Sequence, residues 1–168
     1  MLDGLFKKKA QKNTGSDPDG PAAGAGSASA GADKDPAHDG QYKRDGRKAR
    51  RFFEHAQAVT DYDYAIECFI NGLRLDPDNQ AMHDALREVA LKRKLSGGKP
   101  AGFGEKLKSG GKTPIDKLMH AELLWAKDPL SIERMVAVLE LAGAAHDAID
   151  DVNMVEFIQW MGRLILDA

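Results

Sequence analysis

A chain of 168 residues, 42% hydrophobic and 30% charged, allows one core-forming domain with a tail. Its single cysteine, Cys68, excludes an internal disulfide framework, so a reducing compartment and a cytoplasmic location are expected. No uncharged apolar run reaches 18 residues, so no transmembrane segment is expected.

The net charge of −2 conceals blocks: +5 over 43–51, −6 over 52–91, +6 over 92–112 and −6 over 113–168. Two short basic segments therefore alternate with two acidic ones.

Along the chain, "MLDGLFKKKAQKN" places its lysines after a very short apolar start, the reverse of a secretory signal. From Asn13 to Gln41 there is no leucine, isoleucine, valine or aromatic residue. Such a segment buries too little apolar area to offset the entropy of ordering it, and residues 1–41 are expected to be a disordered tail before a helical domain over 42–168. Phe52, Phe53, Ala56 and Val59 then recur at helical spacing, as do Tyr62, Ala65, Ile66, Phe69 and Leu73. The spacing predicts two helices with a turn near Thr60-Asp61, and Pro77 follows the second as a boundary.

A third helix is predicted over about 79–94, with Met82, Leu86, Val89 and Ala90 on one face. Residues 95–112 hold six glycines and a proline and predict a loop. Thr113-Pro114-Ile115-Asp116 reads as a helix start, with a threonine cap, proline at the first helical position and an acid three residues after the cap. That helix is expected to run to Lys127, before Asp128-Pro129. Two more are expected over about 131–144 and 148–166, with Asp147, Asp150 and Asp151 at the start of the last. Strand-like alternation is nowhere sustained, so the fold class is all-α.

The segment "TDYDYAIECFINGLRLDPDN" resembles the second half of a tetratricopeptide repeat, with Ala65, Phe69, Gly72 and Pro77 at its small, aromatic, small and proline positions. Counting back places Phe52 at the leucine position and Ala56 at the tyrosine position, with Ala49 and Phe53 exchanged in size. Leu86 and Ala90 fill the matching positions of a second unit, which Pro129 closes late. The resemblance implies a short α-solenoid of antiparallel helix pairs. Repeat one covers 46–79, repeat two covers 80–131 with a basic glycine-rich insertion near 95–112, and a partial third covers 132–168. Closing a loop lengthened from about 4 to about 22 residues costs only about 1.5 kcal/mol, so the fold tolerates it.

The residues offer little for catalysis. "SGGKTP" lacks the spacing and the preceding strand of a phosphate-binding loop. The histidines are too far apart in sequence for an i,i+4 metal pair, and one cysteine makes no zinc site of the usual spacing. Cys68, Trp125 and Trp160 read as core residues. No enzyme activity, cofactor or metal is expected.

In the family it resembles, the first helices of successive repeats line a concave groove for peptides or proteins. The matching positions are Arg47, Arg50, Glu54 and Gln57, then Asp84, Glu88 and Leu91, then Glu133, Val136 and Glu140. Their acidic far end favours a basic or mixed-charge partner, and the basic insertion is a candidate to occupy the groove from within. Two other roles stand beside this one. Segments 43–51 and 92–112 carry the cations for nucleic-acid contact, and the apolar final helix allows self-association.

Overall fold

The computed structural model describes residues 42–107 and 111–168; the tail expected over 1–41 and residues 108–110 of the insertion lie outside them. The described residues form helices joined by turns, with no strand among them. These are α1 (Gly46–Ala58), α2 (Tyr62–Leu73), α3 (Gln80–Leu95), α4 (Phe103–Leu107), α5 (Pro114–Lys127), α6 (Ile132–Ala148) and α7 (Val155–Leu166).

Local chemistry sets the boundaries. Five helices open on a side chain that accepts a backbone N–H of the first turn: Asp45 from Lys48, Asp61 from Tyr64, Asn79 from Met82, Thr113 from Asp116 and Ser131 from Arg134. Each cap satisfies a donor that the helix itself cannot. At the end of α3, Gly97 takes φ 87°, a conformation open to glycine at little cost. The Gly98 N–H then donates to the Arg93 carbonyl at 2.9 Å and that of Gly97 to the Lys94 carbonyl at 3.1 Å, the double closure that ends many helices.

The elements pack in a chain of neighbours: α1 on α2, α2 on α3 and α5, α5 on α3 and α6, and α7 on both α6 and α3. A close approach of helices lies at Gly72 of α2. A Cβ there would stand 3.3 Å from the Ala49 carbonyl oxygen, the Phe52 Cβ and the Met82 Sδ, so three helices meet where one side chain is absent. Ala49 and Ala56 are buried on the matching face of α1, while Phe53 lies half-buried against Phe69, rings 5.8 Å apart and edge-on. The alanines let α1 and α2 close up, and Phe53 packs at their margin. Such an aromatic pair adds about 0.5–1.5 kcal/mol beyond area burial.

Three expectations need correction. The loop over 95–112 includes the helical turn α4, tied down by Lys127 bonding Glu105 and by Glu105 Oε2 accepting the Gly102 N–H at 2.9 Å. The fifth expected helix runs on to Ala148, and the sixth starts at Val155 rather than 148. Asp150 and Asp151 therefore stand in a turn, not a helix start, and Asp147 belongs to the last turn of the preceding helix. The reason is competition for backbone groups. Arg44 takes the Asp151 carbonyl at 2.6 Å, Asp78 takes the Asn153 N–H at 3.0 Å, and His146 Nδ1 lies 3.1 Å from the Val152 carbonyl oxygen.

Candidate functional site

All ten positions assigned to the groove lie on the surface side of their helices. Arg47, Arg50, Glu54 and Gln57 of α1, Asp84 and Glu88 of α3, and Glu133, Val136 and Glu140 of α6 are exposed, and Leu91 is half-buried. Two of them bond each other within one helix, Arg50 Nε to Glu54 Oε1 at 2.9 Å. Asp84 accepts from Gln80 at 3.1 Å and Glu88 pairs with Lys92 at 2.6 Å. Among the described residues no hydrogen bond or ion pair joins a position of one row to a position of another. The rows present mainly polar side chains, with Val136 and Leu91 as their apolar members.

The repeat signature lies inward. Ala56, Ala65, Phe69, Gly72, Pro77, Leu86, Ala90 and Pro129 are buried and Phe52 is half-buried. Trp125, also buried, donates from Nε1 to the Pro129 carbonyl at 3.2 Å and meets Trp160 edge-on at 6.1 Å.

Much of the basic charge is engaged inside the fold. Arg44 bonds both oxygens of Asp78 at 2.7 Å and Asp76 at 2.9 Å. The hydrogen bond to Asp78 raises the Arg44 pKa further, against a lowering by burial. Burial raises the Asp78 pKa, but the Arg44 hydrogen bond and the Asn153 N–H outweigh it and hold the carboxyl below its ordinary value. Arg93 is buried, reaching Asp63 at 2.8 Å and the Lys99 carbonyl at 2.9 Å, and Lys94 meets Asp128 at 3.0 Å. The described part of the insertion is therefore moored on Asp63 and Lys127, and Lys92 on Glu88 is its margin's one bond to a row position among the described residues. Lys43, Arg47, Lys48 and Arg51 around the start of α1 are exposed, as are Lys99, Lys106 and Lys112.

A buried pair missed in the sequence joins α3 to α5. His83 Nδ1 lies 2.6 Å from Glu122 Oε1, and His83 Nε2 lies 2.8 Å from the Pro77 carbonyl oxygen, with both side chains at 0% exposure. Phe157 of α7 covers the imidazole at 4.0 Å between ring centroids. Burial lowers the His83 pKa, yet the Glu122 charge and hydrogen bond and the Pro77 carbonyl outweigh it, and the net direction is upward. The carbonyl requires Nε2 to donate, and a proton on Nδ1 as well lets the ring donate to Glu122 Oε1, so an imidazolium matches both acceptors. Glu122 Oε2 is buried and has no hydrogen-bond partner among the described residues. With no solvent access at either side chain, this pair joins α3 to α5 inside the core.

Cys68 is buried, and burial raises its pKa against a smaller lowering by Tyr64, the inert setting of a packed thiol. Among the described residues no group of three histidine, cysteine or acidic side chains is arranged to hold a metal ion, and no helix is long and apolar enough to cross a membrane. No known family model, curated protein or solved structure matches this chain.

Proposed function

We propose that this chain is a non-catalytic interaction module, a short tetratricopeptide-like array that binds a basic or mixed-charge peptide or protein across the exposed faces of α1, α3 and α6. The observation that carries this reading is the split between the two sets of positions. The signature residues are buried or half-buried, while the ten groove positions are exposed or half-buried and mostly polar. Helix faces with Glu54, Asp84, Glu88, Glu133 and Glu140 present an acidic surface that packing does not use, and opposite charge steers and selects partners. The buried polar groups support the same reading, because His83, Glu122 and Arg93 hold helices together. A cytoplasmic setting belongs to this proposal.

A second reading rests on Lys43, Arg47, Lys48 and Arg51, which form an exposed basic patch at the start of α1 suited to nucleic-acid phosphates. A third rests on the end of α7, where Leu166 is 87% exposed and available to a second copy. Affinity capture from native lysate, with and without nuclease, separates these readings. It compares wild type with a folded variant carrying Glu54→Lys, Asp84→Lys and Glu88→Lys. A nuclease-resistant protein partner lost in the variant is the expected result. Recovery only of nuclease-sensitive material transfers the function to the α1 patch, and recovery of the chain alone transfers it to α7.

A further inference from the structure

Where α2 and α6 end and α5 begins, the chain surrounds a cleft of about 300 Å³, at the low end of the range for small-molecule sites. Its apolar wall is built by Leu75, Pro114, Ile115, Ala148 and Ile149. Three charged residues also line it, Lys43, Arg74 and Asp116, which leaves an excess of one positive charge. The lone acid is fully occupied: Asp116 Oδ1 accepts from Arg74 Nη1 at 2.8 Å and Oδ2 from the Thr113 hydroxyl at 2.8 Å. The Tyr42 hydroxyl is likewise engaged, donating to the Leu75 carbonyl at 2.9 Å. Lys43 is exposed, and among the described residues it makes no ion pair within 4.0 Å. Burial, and then the charge of Arg74, lower the pKa of neighbouring His120, so that imidazole adds no further cation near neutral pH.

We propose that this cleft binds a small carboxylate with an apolar body, its ring or chain lying between Leu75 and Ile149 and its carboxylate on Lys43 and Arg74. One negative charge matches the local excess, whereas a phosphate would bring more charge than the cations balance against a mainly apolar wall. A neutral ligand would leave the ammonium of Lys43 unmatched beside the apolar contact. The site is separate from the exposed rows of α1, α3 and α6 and does not depend on their role.

The test is a titration of the isotope-labelled full chain, followed by amide chemical shifts, with 4-phenylbutyrate and with its neutral amide. The acid is expected to saturate and to shift Leu75, Ile115 and Ile149. The amide should bind about tenfold more weakly, the loss expected when a charged partner is removed. Lys43→Gln should weaken the acid by a similar factor. Ala148→Trp, at an exposed wall position, should block it with the helical spectrum unchanged. Equal binding of acid and amide, shifts away from the cleft, no saturation at millimolar concentration, or full binding by both variants would each overturn the proposal.

Discussion

Two polar joints hold distant parts of the chain together, and they do so in opposite ways. The joint at His83 and Glu122 is sealed, with both side chains at 0% exposure under Phe157. The joint at Arg44 lies at the rim, with side-chain exposures of 33% for Arg44 and 17% for Asp78. It gathers Asp76, Asp78 and the Asp151 carbonyl around one guanidinium. In the sealed joint the groups depend on bonds within the protein, because water cannot replace a lost one. At the rim water can replace part of what is lost, so the same chemistry contributes less and tolerates damage.

Breaking the sealed joint should have the largest effect. Glu122→Ala leaves an uncompensated imidazole in the core and is expected to cost about 3–5 kcal/mol, read as a fall in the denaturation midpoint. Replacing both partners, His83→Met with Glu122→Leu, should recover most of that loss, since an apolar pair of similar volume needs no hydrogen bond. Failure of the double variant to recover would mean that the pair does more than fill space. Next in size, Arg44→Ala should cost about 1–2 kcal/mol, the strength of charged hydrogen bonds reduced for partial exposure.

The two joints also respond to opposite ends of the pH range. His83 is raised on folding from an ordinary value of 6.5. Its contribution is therefore full below about pH 6.5 and lost as pH rises through the higher folded-state value. Asp78 is lowered from 3.8, so its contribution is present above that value and lost as pH falls through the lower one. Stability measured against pH should lose its alkaline decline in the His83→Met, Glu122→Leu variant. The acid decline should diminish in Arg44→Ala, and the reverse pattern would refute both assignments. Arg50→Ala, which removes an exposed i,i+4 pair, should leave thermal stability unchanged within error.

Helix starts were legible because capping residues act locally: Asp61, Asn79, Thr113 and Ser131 each accept an N–H only three residues on. Pro77 was legible as a residue that does not continue a helix, whereas Gly72 was placed only by resemblance to the repeat. The sealed joint escaped notice because its partners stand 39 residues apart on helices with no shared spacing. Yet a signal existed. Glu122 falls on the apolar stripe of Leu118, Met119, Trp125 and Ala126, and His83 falls on that of Leu86 and Ala90, so each needed a polar partner in the core. The start of α7 was misplaced because Ile149 and Val152 continue the helical spacing. Val152 is buried and Ile149 half-buried in a turn instead, the turn that Arg44 and Asp78 hold from another part of the chain. Whether the exposed rows share one partner was beyond the pattern of residues, since spacing along a helix says which side faces water and not what lies across from it.

The most direct test of the interaction-module reading is carboxyl footprinting of the partner-bound chain, comparing the reactivity of individual acids with that of the free chain. The account predicts that Glu54, Asp84, Glu88, Glu133 and Glu140 lose reactivity on binding, while exposed Glu67 and Glu156 keep theirs. Unchanged reactivity of those five acids in a saturated complex, or protection at Glu156 and Asp167 in their place, would contradict it.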